Sequence, residues 1–152
     1  MTVLLRPACP EECDQLTALC LRSKAHWGYN AAFMAACQDE LTVTAADTDT
    51  HMIIAERGAD LAGVAQIGPL GQDADILLLF IDPPFMGQGI GRLLFEWCVE
   101  QAAALGAGRL LIDADPKAEA FYLRMGAKRV GQSPSASVPG RLLPQLAYTV
   151  SP

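Results

Sequence analysis

The chain has 152 residues, of which 51% are hydrophobic and 18% charged, enough apolar material for one filled domain of ordinary size and too little charge for wholesale disorder. Its formal net charge of −6 argues against nucleic acid as a partner, because such affinity comes largely from Lys and Arg set against phosphates; a small amine substrate suits an acidic protein better. The five cysteines are odd in number and form no C-x-x-C pair, and His26 and His51 stand alone, so neither a disulfide framework nor a metal site is expected, and reduced thiols point to the cytoplasm.

Residues 2–5 alternate weakly and read as a first strand, closed by Arg6-Pro7. No basic segment leads into an apolar one, so no secretion signal is expected. Pro10 suits the first position of a helix, Glu11 and Glu12 favour its positive end, and Cys13, Leu16, Leu19 and Cys20 fall on one face. An aromatic, polar loop follows at 23–29. Asn30 then reads as the N-cap of a second helix with the stripe Phe33, Met34, Cys37 and Leu41.

Residues 45–50 are a polar break without pattern. Strands are expected at 52–56 and 61–67, flanking a hairpin turn at Arg57-Gly58-Ala59-Asp60. Residues 76–81 are apolar on both faces, which predicts a central strand; the run is far too short to cross a bilayer, and no membrane partner is expected. The next helix runs to about Leu105 with the stripe Ile90, Leu93, Leu94, Trp97 and Cys98, and Gly106 suits the left-handed position beyond it. A strand at 110–113 follows. Asp115-Pro116 reads as an N-cap and first-turn proline, opening a helix with Ala118, Phe121, Tyr122 and Met125 on one face and Gly126 at its end. Strands at 128–130 and 145–150, separated by a Ser/Pro-rich loop, close the chain. The order β-α-α-β-β-β-α-β-α-β-β predicts one α/β domain over residues 1–152, with a mixed, mostly antiparallel central sheet and flanking helices.

Between the central strand and its helix lies Gly87-Gln88-Gly89-Ile90-Gly91. Glycines let successive backbone N–H groups turn toward one point, and a helix start adds partial positive charge, so this segment can hold a phosphate or pyrophosphate, with Arg92 at the rim. A Walker loop would end in Gly-Lys-Ser/Thr, but Gly91-Arg92-Leu93 stands there. The dinucleotide fingerprint G-x-G-x-x-G fails in both registers, at Arg92 and at Leu94. Asp113 could imitate that motif's ribose acid, which leaves a nucleotide-binding oxidoreductase as a weaker alternative. The plainest alternative is that the glycines only shape a tight turn.

Met86-Gly87-Gln88-Gly89-Ile90-Gly91 resembles the Q/R-x-x-G-x-G/A turn of the GCN5-related N-acetyltransferases, with Met at a position that contributes mainly backbone. Ile81-Asp82-Pro83 resembles that family's V-x-P at the end of its fourth strand. Asp115-x-x-Ala118-x-x-Phe121-Tyr122-x-x-x-Gly126-Ala127 resembles N-x-x-A-x-x-F-Y-x-x-x-G-F, with Asp for Asn and Ala for the last Phe. The resemblance implies the acyl-CoA N-acyltransferase fold and acetyl-CoA as cofactor. Coenzyme A would be held by Met86, Gly87, Gln88, Gly89, Ile90, Gly91 and Arg92. Phe80 and Ile81 would offer backbone groups to the pantetheine arm where the fourth and fifth strands splay, with Asp115, Ala118 and Phe121 beside it. Tyr122 matches the family's general acid. Many relatives pair, so a homodimer is compatible with the family.

Moving an acyl group from a thioester to an amine requires a neutral amine, a donor for the developing oxyanion and stabilisation of the departing thiolate. A phenol of pKa about 10 donates to a thiolate whose conjugate acid is near 8.5 only with help from its site, and Tyr122 also reads as a core aromatic. No ionisable residue lies in 76–81, so the general base is unassigned, with Asp82, Glu56 and His26 as candidates. The acceptor side is expected at His26, Trp27, Tyr29, Asp82 and Arg141, whose planar fork suits a carboxylate. The expected function is acetyl transfer from acetyl-CoA to a primary amine of a small molecule. An acyl-CoA sensor without catalysis is the alternative from a different class.

Overall fold

Strands begin where the apolar alternation begins, and in a computed structural model describing residues 2–68 and 71–150 they form a seven-stranded sheet of order β1-β2-β3-β4-β5-β7-β6. β1 (Val3–Pro7), β2 (His51–Arg57), β3 (Asp60–Gly68) and β4 (Asp73–Ile81) are successive antiparallel neighbours. β5 (Arg109–Asp113) runs parallel to β4, and β7 (Leu142–Thr149) and β6 (Lys128–Pro134) continue antiparallel from it. A parallel pair needs a crossover, which α4 (Ile90–Ala104) supplies. The mixed, mostly antiparallel α/β sheet is therefore as expected, and β4 takes its middle.

Helices cover both faces. α1 (Cys13–Ala25), entered through a 3-10 turn at Pro10–Glu12, and α2 (Ala31–Leu41) lie on one side. Their Leu16, Leu19, Cys20, Cys37 and Leu41 pack with Met52 and Ile54 of β2. The alternate residues Ile53 and Ala55 face the other way, onto Ile90, Leu94 and Cys98 of α4. This is the period-two alternation of a strand sandwiched between layers. A third cluster gathers Phe95, Ile112, Tyr122 and Leu146 around α5 (Glu119–Arg124). Among the described residues, no helix is long and apolar enough to cross a membrane.

Three local expectations change. The break at 45–50 contains a one-turn helix, α3 (Ala45–Thr48), fixed by a reciprocal capping box between Thr44 and Asp47. On α4 the buried aromatic is Phe95, 2% exposed, whereas Leu93 is 39% exposed, because the helix is covered by α5 as well as by the sheet. Asp115-Pro116 does not open a helix. Residues 116–118 form a turn in which Ala118 N–H donates to the Asp115 carbonyl at 2.8 Å, and α5 starts only at Glu119.

One irregularity shapes the middle of the sheet. The β3–β4 register steps from Gln66↔Leu78 to Ile67↔Ile76, leaving Leu77 as an extra residue on β4. Such a bulge bends its strand. On the other edge, β4 meets β5 only at Asp73↔Arg109, Ala74↔Leu110 and Asp75↔Leu111, and beyond these pairs the strands part.

Candidate active site

The parting of β4 and β5 opens a cavity of about 420 Å³. Phe80 and Ile81 line one wall; Asp115, Ala118, Phe121 and Tyr122 line the other, with Met86 and Gly91 at its edge. Next to Asp115 the lining continues through Lys24 and Trp27 at the end of α1, Cys37 and Glu40 of α2, and Ser135 and Arg141 of the β6–β7 connection. The segments expected to frame an acceptor do meet here, beside the segments expected to hold a cofactor.

The glycine turn sits outside the enclosed part. Gly87 and Gly89 have φ of +78° and +83°, backbone that glycine adopts without strain. A Cβ at either would touch nothing within 4 Å, so the turn's outer face is open. Leu93 N–H donates to the Gly89 carbonyl at 3.2 Å as the first helical rung, so the N–H groups of Ile90, Gly91 and Arg92 precede the ladder and are available to an anion. Arg57, at the end of β2, donates to the Gln88 side chain and places a second cation beside the turn with Arg92, a residue that local sequence patterns do not flag. Gly91 has a different reason to be glycine. A Cβ there would lie 3.0 and 3.2 Å from the Phe121 ring, so its absence lets α5 close on α4. A turn with open amides and two arginines fits a pyrophosphate, and the apolar wedge behind it fits a slender arm.

Tyr122 is 6% exposed and stands edge-on to Phe95 and Phe121, with ring centroids 6.2 and 5.1 Å away. It is at once a core aromatic and a cavity wall. Burial pushes its phenol pKa well above the ordinary value, so the hydroxyl keeps its proton at any working pH.

Asp115 is the hub of a polar cluster. Its carboxylate accepts from Tyr29 Oη at 2.8 and 2.9 Å, from Lys24 Nζ at 3.3 Å and from Lys117 N–H at 2.9 Å. An Arg141 nitrogen lies 3.5 Å away and donates to Tyr29 Oη at 2.8 Å. Burial alone would raise the Asp115 pKa, but the Lys117 amide, Tyr29 and Lys24 outweigh it and hold the carboxyl below the usual range. The Tyr29 phenol, half-buried and donating to that carboxylate, is pushed up to about 12. The carboxylate is thus already engaged by side chains of the acceptor-side loops, which an isolated helix cap would not be.

Of the expected acceptor residues, Trp27 and Arg141 line the cavity, Tyr29 stands behind it on Asp115 and Arg141, and two are not brought to it. Asp82 is clamped by Arg22 Nε and Nη2 at 2.9 Å each and lines a second, separate cleft beside Asp14 and Asp60. His26 is exposed and packs edge-on against Trp27, centroids 5.9 Å apart. Glu56 is likewise occupied, accepting from Arg6 at 3.0 Å. Lys24 and Glu40 take their place at the cavity. Lys24 lies in the 23–29 segment expected to frame an acceptor, whose first three residues are the last turn of α1 and not loop, whereas Glu40 carries no local signal and reaches the site through the packing of α2.

The acetyltransferase (GNAT) domain family matches residues 10–137. An aminoalkylphosphonate N-acetyltransferase from Salmonella typhimurium is 28% identical over 138 residues, covering 82% of this chain and 84% of that protein. The PaiA N-acetyltransferase of Thermoplasma acidophilum, solved in complex with coenzyme A, superposes with a TM-score of 0.77 over 98% of this chain and 99% of that one, at 15% identity. YncA of Salmonella typhimurium, solved with its cofactor acetyl-CoA, gives a TM-score of 0.70 over 100% and 96%, at 17% identity. At those identities the two structures speak for the fold, and the family match speaks for the activity: the chain belongs to the GCN5-related N-acetyltransferase family and is an acetyltransferase.

Proposed function

We propose that this enzyme moves an acetyl group from acetyl-CoA to the primary amine of a small molecule, by direct transfer in the cytoplasm, with Tyr122 as general acid. The observation that carries this reading is the shared cavity. Tyr122, Lys24, Trp27 and Arg141 line one space of about 420 Å³ together with Met86 and Gly91 of the glycine turn. A cleft of this size lined by both apolar and charged side chains suits a small acceptor, in keeping with the Salmonella relative, whose name specifies aminoalkylphosphonates.

When bound, acetyl-CoA supplies an activated acetyl thioester. The chain's own contribution is to hold that group between β4 and the wall bearing Tyr122, to keep water out, and to present a proton at Tyr122 Oη. The raised phenol pKa does not oppose the role. The burial that holds the phenolic proton would also raise the basicity of a thiolate placed against Tyr122, as burial elsewhere in the core pushes the Cys98 thiol of α4 up to about 12. Donor and acceptor are then better matched than in water.

Steady-state release of free thiol from acetyl-CoA across a panel of small primary amines tests the reading. At least one amine should sustain turnover well above the amine-free rate. Tight acetyl-CoA binding without turnover on any amine would replace the enzyme reading with that of a sensor.

A further inference from the structure

From the Lys24–Tyr29–Arg141–Asp115 cluster we infer a subsite for an oxyanion on the acceptor, so that the acetylated amine belongs to a molecule bearing a carboxylate or a phosphonate. The inference rests on the amine-acceptor reading above and adds the substrate's second functional group.

Three observations carry it. The first is charge. Lys24 and Arg141, with side chains only 14% and 18% exposed, share the single carboxylate of Asp115, itself 12% exposed. Two largely buried cations against one anion leave one positive charge without a partner, in a chain whose formal net charge is −6. Glu40 faces the same side of the cavity, but its carboxylate accepts from Ser137 Oγ and, among the described residues, forms no ion pair with either cation. Desolvated charge is retained at a cost unless something pairs with it, and the open side of this cluster is the cavity.

The second observation is donor capacity. A guanidinium carries five N–H donors in a rigid fork. Among the described residues, Arg141 spends one of its two Nη2 hydrogens, on Tyr29, so one parallel pair of donors, the other Nη2 hydrogen with either Nε or Nη1, is uncommitted. Lys24 Nζ has three donors and spends one, on Asp115. Two parallel donors on one planar group are what a carboxylate or phosphonate takes in bidentate fashion.

The third is rigidity. The Arg141 guanidinium lies 4.7 Å from the Phe33 ring centroid and 5.2 Å from that of Tyr29, and those rings are stacked on each other at 3.9 Å. A solvated surface arginine is not packed against a stacked aromatic pair. This one is oriented before any ligand arrives, which lowers the cost of binding. Lys24 and Arg141 line the same cavity as Tyr122, so an acceptor anchored there by its anion extends its amine toward the acetyl site.

The test compares matched acceptors that differ only at the far end: 2-aminoethylphosphonate, 3-aminopropanoate and propylamine, each assayed by thiol release from acetyl-CoA. The wild-type enzyme should favour one of the anionic amines over propylamine by about 10²-fold in kcat/KM, the scale of a desolvated charge pair. The favoured one tells phosphonate from carboxylate. Arg141→Gln should bring that ratio toward one, and Lys24→Gln should lower it in the same direction, chiefly through KM. Equal kcat/KM for charged and neutral amines, or an equal loss for both in each variant, would overturn the subsite while leaving acetyl transfer intact. Should no amine be turned over, calorimetric titration with ethylphosphonate and propionate still decides it. Heat in the wild type that disappears in Arg141→Gln upholds the subsite, and no heat with either anion defeats it.

Discussion

Tyr122 illustrates how one side chain answers to two demands. Its ring completes a core cluster with Phe95, Ile112 and Leu146, and its edge forms part of the cavity wall. Tyr122→Phe removes one hydroxyl and keeps the ring, so the core should survive and the affinity for acetyl-CoA measured by calorimetry should hold. Turnover should fall by roughly 10²–10⁴, the usual worth of a positioned acid. Since burial lifts the phenol well above its ordinary range, the pH–rate profile should show no alkaline limb belonging to this residue below about pH 10, the unperturbed value. A variant with near-normal turnover would assign Tyr122 to packing alone. Asp115 carries the opposite lesson. In the sequence it reads as a helix cap or as a substitute for an amide side chain, whereas in the fold its carboxylate ties together loops from three parts of the chain.

At the scale of elements, what was legible was local. Asn30 does cap its helix, accepting from Phe33 N–H at 2.8 Å, and the hairpin at Gly58-Ala59 joins β2 to β3 as its turn residues predict. The glycine turn also falls where a strand gives way to a helix. Gly89→Asp would set a carboxylate at that open helix start, and Asp tolerates left-handed backbone better than most residues. Calorimetric affinity for acetyl-CoA should drop by at least about 10²-fold, or roughly 2.7 kcal/mol. Gly89→Ala bears the same backbone cost without the charge and should lose much less. Equal, small losses in both would move the phosphates elsewhere. What stayed hidden in the sequence depends on contacts between elements. Lys24 and Arg141 are more than a hundred residues apart, and only the packing of α1 against β4 and the return of β7 beside β5 bring them together. Phe95 could not be told from Leu93 by helical period alone, because the period gives one face and α4 is covered on two. Asp115 does accept from the Lys117 amide as an N-cap would, but its carboxylate also holds Lys24 and Tyr29, contacts from distant segments that no local rule anticipates, and the chain closes a turn before α5 begins.

Across the whole molecule, the bulge at Leu77 and the parting of β4 from β5 after Asp75 leave the sheet joined through its middle by three residue pairs. β4 keeps β3 on one side as far as Ile81. In an extended strand, successive backbone N–H and C=O groups point to alternate edges, so about half of those in the outer part of β4 are turned into the gap, where they lack ladder partners. A ligand with amide groups of its own, lying along that edge, would complete the ladder. Native-state hydrogen exchange can read this directly. With acetyl-CoA bound, the gap-facing amides among residues 77–81 should exchange more slowly, while those of β2, held between two strands, should scarcely change. Uniform slowing throughout the sheet would indicate general stabilisation instead of a seam being closed. In the free protein the sheet is in effect one strand short, and the missing strand is one that need not be made of protein.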